Sequence, residues 1–153
     1  MKNIFKDILK GKCIIVGVGN VLRGDDGFGV TLIERLKGNE KVMCINAGSA
    51  PENFAGKIVK EKPNTILIVD AVHMDLNPGE SEILKKGDIV RSGFTTHNIS
   101  LNMFIDYLEN ETGADVYLLG VQPKSVGFGE QMSNSVKKTL EEIVDLIRKV
   151  FMQ

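Results

Sequence analysis

Residues 13–30, CIIVGVGNVLRGDDGFGV, limit the possible folds more sharply than any other stretch. An apolar run rich in β-branched residues ends at Gly17, Gly19 and Asn20, a short loop carries the adjacent acids Asp25 and Asp26, and helical spacing begins at Gly27. That order reads as strand, loop, helix. In open α/β sheets, ligands sit outside the carboxyl ends of the strands, where loops of this kind emerge. The two acids are therefore candidates for chemistry.

The rest of the chain repeats the alternation. Residues 2–10 read as a short amphipathic helix and 12–18 as a central strand, apolar almost throughout. Phe28, Leu32, Ile33 and Leu36 follow helical spacing up to Gly38. Residues 42–46 form a second strand that ends in a loop at 47–53, and 65–69 an unbroken apolar strand that delivers Asp70 to the loop face. Asn77-Pro78-Gly79 is a turn, and 80–84 alternates as an edge or antiparallel strand does. Leu101, Phe104, Ile105 and Leu108 share one helix face with Asn98 or Ser100 as N-cap, which sets His97 at a helix entrance. Residues 116–121 read as a last buried strand, and Val136, Leu140, Ile143, Val144, Ile147 and Val150 stripe a final helix. The pattern predicts an α/β fold in which a twisted, mostly parallel sheet of about five strands lies between about four helices. One three-layer domain covering residues 1–153 is expected.

Composition removes several function classes. With 42% apolar and 25% charged residues the chain can bury a real core, and a net charge of -1 provides no basic field for nucleic acid or an anionic membrane surface. Residues 4–9 are too short and too charged for a signal peptide or a membrane span, so a cytoplasmic protein without membrane insertion is expected; a monomer is the accompanying expectation. Cys13 and Cys44 lack a paired CxxC spacing and read as buried free thiols.

The glycines first suggest a dinucleotide loop, but Leu22 stands where the third glycine belongs, two acids would repel phosphate, and Asn46 replaces the acidic ribose ligand. No nucleotide cofactor is expected. Asp26, Asp70 and His97 fall on one side of the sheet, and two carboxylates with one imidazole suit a divalent transition metal with coordination positions left open. Asp25 reads as a helix N-terminal charge, and His73 as a loop or supporting residue. Gly17, Gly19 and Gly27 suggest tight turns or close backbone approach to substrate, while Phe94, Phe128 and Met132 suggest an apolar rim. No GxSxG elbow is present, and neither cysteine has a histidine near it in sequence.

Five ordered blocks carry a resemblance: GVGNVLRGDDGFG at 17–29, NAGSAPEN at 46–53, LIVDAVHMDLNPGE at 67–80, TTHNISLN at 95–102 and LGVQPKSVGFG at 119–129. Together they resemble the hydrogenase maturation endopeptidases, above all the branch serving hydrogenases of the formate-hydrogenlyase type. The resemblance implies removal of a C-terminal extension from a nickel–iron hydrogenase large-subunit precursor after nickel insertion, with nickel supplied by that precursor. By motif position it implies that Asp26, Asp70 and His97 are the metal-binding and catalytic residues. Relatives are also classed with aspartic peptidases, although the paired DTG lobes of pepsin-like enzymes are absent here. The family fold, a twisted five-stranded sheet between helices, agrees with the reading from periodicity. Two other functions fit the same residues: a metallopeptidase that retains its own zinc, and a non-enzymatic, nickel-dependent maturation-binding protein.

Overall fold

Strand residues alternate between two helical layers, and that alternation builds the molecule. The computed structural model describes residues 2–96 and 100–152. Strands β1 (Cys13–Val18), β2 (Val42–Gly48), β3 (Thr65–Ala71), β4 (Ser81–Leu84) and β5 (Asp115–Val121) form one sheet in the order β2-β1-β3-β5-β4. All neighbours are parallel except β4, which pairs antiparallel to β5 at the edge. The helices are α1 (Ile4–Ile8), α2 (Phe28–Leu36), α3 (Ala55–Lys60), α4 (Lys86–Ser92), α5 (Leu101–Thr112) and α6 (Asn134–Phe151).

Cys13, Ile15, Leu67, Val69, Leu119 and Val121 face a layer made by α1, α2 and α6. Ile14, Val16, Ile66, Ile68, Val116 and Leu118 face the opposite layer of α3, α4 and α5. Both faces of the central strands are thus covered, which explains why those strands are apolar runs with no polar face. The stripe on α6 packs as its spacing predicts, with Val136, Leu140, Ile143, Val144 and Ile147 buried. Each such side chain contributes about 1.5–3 kcal/mol of transfer free energy.

Two helices escape the sequence pattern. Helix α3 buries only Ile58 and α4 only Ile89, so neither is long enough for apolar spacing to repeat. Their ends are set locally: the Asp88 carboxylate accepts the Lys85 N–H at 2.9 Å, and Gly93 closes α4 with φ at 66°. Strand β3 also runs further than its apolar run, through Ala71, because β5 continues beside it to Val121. Asp70 is therefore inside the strand, opposite Gly120, and alternation turns it toward the layer of α3, α4 and α5.

Strand order reverses between β1 and β3. From β1 the chain passes outward through α2 to β2, whereas from β3 it moves the other way, toward β5 and β4. The carboxyl ends of β1 and β3 flank that switch point, the place where open α/β sheets offer a binding crevice.

Candidate active site

Asp26 and Asp70 come from the two strands that border this crevice. Asp26 lies in a single 3-10 turn, Gly24–Gly27, between β1 and α2, and Asp70 at the end of β3. Both are 0% exposed. Gly29 explains how α2 reaches so close to the strand ends: a Cβ there would lie 2.2 Å from the carbonyl oxygen of Val69 and 2.5 Å from that of Val18. Only a residue without a side chain lets the helix start against both strands.

Each carboxyl group is oriented by a neutral donor. The Asn20 N–H donates to Asp26 Oδ2 at 2.9 Å, from a turn in which Asn20 Oδ1 accepts the Leu22 N–H at 2.9 Å. On the other strand, the Thr96 hydroxyl donates to Asp70 Oδ2. Thr96 is delivered there by a bridge between main chains, in which the His73 N–H donates to the Thr95 carbonyl at 2.7 Å. His73 itself points to solvent, so its contribution here is backbone pairing. His97, the next residue after Thr96, lies outside the described residues. Among the described residues no group of three His, Cys, Asp or Glu side chains is arranged to hold a metal. Asp26 and Asp70 supply carboxylate oxygens, a donor type suited to a divalent ion whose remaining ligands come from elsewhere.

Asp25 sits in the first turn of the 3-10 helix, as a helix-terminal charge would, and does more besides. It is 1% exposed and accepts from Ser133 N–H at 2.7 Å, Lys124 N–H at 2.8 Å and Ser125 N–H at 3.3 Å. The Ser133 hydroxyl adds contacts of 3.0 and 2.9 Å to its two oxygens. Ser133 is the N-cap residue of α6, so Asp25 ties the β1 loop to the segment between β5 and α6. The backbone repeats the tie, from Gly24 N–H to the Glu130 carbonyl at 3.1 Å and from Asp25 N–H to the Ser125 carbonyl at 3.0 Å. Satisfying a buried carboxylate this fully offsets the cost of removing it from water.

Gly19 takes the tight-turn alternative. With φ at 137°, it would place a Cβ 1.9 Å from the Asp26 carbonyl oxygen, so the close approach is to the chain's own loop. The expected apolar rim divides: Phe128 is 73% exposed at a loop tip, Met132 packs on the layer of α1, α2 and α6, and Phe94 packs on the other layer. Cys13 is buried as expected, whereas Cys44 is only partly buried. Burial still pushes the Cys44 thiol up to about 11, against the opposing charge of Lys37.

Gln122 is a supporting residue that sequence reasoning passed over. It is buried directly after β5, where its Oε1 accepts the Met74 N–H at 2.7 Å and the Leu76 N–H at 3.3 Å. Its main chain holds the same segment, accepting from Gly79 N–H and donating to the Glu80 carbonyl, both at 2.8 Å. A polar residue directly following a buried strand was the available signal.

Comparison with known proteins finds the same architecture. A family model described as hydrogenase maturation protease, HycI, matches residues 30–150. The hydrogenase 3 maturation protease of Escherichia coli is 43% identical over 135 residues, covering 85% of each chain. The crystal structure of a NiFe hydrogenase maturation protease, HycI, from Thermococcus kodakarensis superposes with a TM-score of 0.89 at 34% identity, covering 98% of this chain and 99% of that one. The solution structure of the endopeptidase HycI from Escherichia coli gives 0.77 at 36% identity, covering 88% of each.

Proposed function

The chain belongs to the hydrogenase maturation proteases, and from that premise we propose that it removes a C-terminal extension from the large-subunit precursor of a nickel–iron hydrogenase once nickel has been inserted. In this reading the nickel arrives as part of the substrate, held by precursor thiolates. Asp26, Asp70 and His97 complete its coordination and thereby fix the scissile peptide at the crevice. The ion can also polarise the peptide carbonyl as a Lewis acid. Recognition of a finished metal centre and positioning for cleavage then depend on one set of ligands.

The observation that carries the reading is the pair of wholly buried acids at the switch point, Asp26 oriented by the Asn20 N–H of its own loop and Asp70 by Thr96 from the segment before α5. Burying a carboxyl group is costly, and the fold bears that cost twice at the place where α/β sheets bind ligands. An incoming cation gives both groups a use. Two oxygens and one imidazole form a poor permanent trap for a lone aqueous ion, which favours an ion already anchored in the substrate over one retained by the enzyme. Among the described residues no helix is long and apolar enough to cross a membrane. Action on the precursor in the cytoplasm, by a monomer, completes the proposal.

Alanine substitution tests the ligand set. Asp26→Ala, Asp70→Ala and His97→Ala are each expected to abolish precursor processing while circular dichroism stays close to that of the unaltered protein. Normal processing by any two of them would remove the shared-metal reading.

A further inference from the structure

We propose that Val21, Leu22 and Arg23, together with Phe128 on the neighbouring loop, form a docking platform for the folded body of the precursor large subunit, with an acidic group of that partner meeting Arg23. The proposal rests on the endopeptidase reading above and names the surface by which the enzyme selects its partner.

Two loops at the carboxyl edge of the sheet build the platform as one unit. The Gly129 N–H donates to the Leu22 carbonyl at 2.7 Å and the Gly24 N–H to the Glu130 carbonyl at 3.1 Å, so the loops after β1 and β5 share backbone hydrogen bonds. Asp25, buried between them, holds the same pair through Lys124, Ser125 and Ser133. From this fixed base Val21, Leu22 and Phe128 stand 55%, 58% and 73% exposed. Single apolar side chains are ordinary on a surface, whereas three on two joined loops make a patch. Arg23 lies beside them, half-buried, its Nε shielded from water and without a hydrogen-bond partner among the described residues. Neither Arg23 nor the exposed Lys124 enters an ion pair among the described residues. Aromatic and arginine side chains are the ones enriched at protein interfaces, and unpaired positive charge selects a partner face that carries acids.

Continuity with the active site identifies the partner. Leu22 precedes Asp26 by four positions in the same loop, so the chain allows at most about 14 Å between them. A standard interface buries about 800 Å² on each partner, equal to a disc of about 16 Å radius. A folded protein that presents its nickel to Asp26 therefore covers Leu22 and Arg23, and Phe128 borders them through the Gly129 bond. Side chains exposed this far project from loop tips. A concave face of a folded protein encloses that shape, whereas an extended tail needs a groove or a sheet edge. Because backbone pairing and Asp25 already hold the loops, docking requires little further ordering.

Three variants test the platform. Phe128→Ser removes a side chain that packs on little, Arg23→Glu reverses the charge, and Arg23→Met keeps the buried stem while removing the guanidinium. Each is compared with the unaltered enzyme for association with nickel-loaded precursor and for its processing, across a series of salt concentrations. The expected result is an unchanged melting temperature in Phe128→Ser and Arg23→Met, and association weakened by about tenfold or more in Phe128→Ser and Arg23→Glu, with KM raised by a similar factor and kcat within about twofold. Salt is expected to weaken association of the unaltered enzyme more than that of Arg23→Met, a readout that a merely structural arginine would not move. Unaltered association in Phe128→Ser and Arg23→Glu, or equal salt dependence with and without the guanidinium, would overturn the proposal. So would an equal loss of binding to a synthetic copy of the precursor's C-terminal segment alone, since the platform would then hold the tail. A concentration-dependent dimer that Phe128→Ser dissociates while precursor binding persists would also overturn it, the occupant then being a second copy. If the unaltered enzyme binds the precursor but cuts none of it, the endopeptidase reading fails, and weaker association in the variants still supports the platform.

Discussion

The Thr96 hydroxyl donates to Oδ2 of Asp70, joining the segment before α5 to the end of β3. Leaving a buried polar group without its hydrogen-bond partner costs about 1–3 kcal/mol. Thr96→Val keeps the shape and removes the donor. Precursor processing by Thr96→Val is expected to fall by about tenfold or more, with Thr96→Ser near the original rate. Equal rates for the valine and serine variants would show that Asp70 is held by something else.

Adjacent acids are expected to separate cleanly into stability and activity. In Asp25→Asn the new amide places an NH2 among N–H donors from Ser133, Lys124 and Ser125, at a cost of about 2–4 kcal/mol. For a chain of this size that lowers Tm by about 5–10 °C while the remaining folded protein still cuts. Asp26→Asn is expected to melt closer to the original temperature and to lose processing. Thermal melts recorded beside processing assays distinguish the two, and a catalytically dead Asp25→Asn that melts normally would contradict the assignment of Asp25 as a tie.

Cys44 gives a pH signature. Burial raises its thiol from 9.0 to about 11, so the folded state keeps the proton longer than the unfolded chain does. Any effect on stability is absent below about pH 9, and as pH rises from 9 toward 11 the unfolded thiol ionises first and stability is lost. Two measurements check this. At pH 8, alkylation of native Cys44 by iodoacetamide is expected to be slower than in denatured protein, and Cys44→Ala is expected to lessen the alkaline fall in stability. Fast native alkylation at pH 8 would contradict the raised value.

Strands with repeated apolar positions were legible in the sequence, and so was the crevice, because Asp70 comes directly after the apolar run at 65–69 and Asp26 lies in the loop that follows β1. Short elements were not: α3 and α4 each offer one buried residue, which is no periodicity at all. Roles set by long-range partners were also invisible. Asp25 looks like a helix-terminal charge until Ser133, 108 residues away, is seen to donate to it. Gly19 left both a tight turn and a close approach to substrate open, and only the Asp26 carbonyl beside it decides for the turn. Local sequence reveals which residues carry carboxylates, and the donor to Asp26 is local too, Asn20 of the same loop, whereas Thr96, the donor to Asp70, comes from a segment that only tertiary folding brings near.

The central claim is that the metal read by this enzyme belongs to its substrate, and mass spectrometry of the cognate large-subunit precursor tests it most directly. Chelator-treated, metal-free enzyme is incubated with nickel-loaded and with nickel-free precursor. The account predicts one cut near the C-terminus of the nickel-loaded precursor and no cut in the nickel-free one, even at high enzyme concentration. Comparable cleavage of nickel-free precursor, or activity that tracks zinc retained by the enzyme, would contradict it.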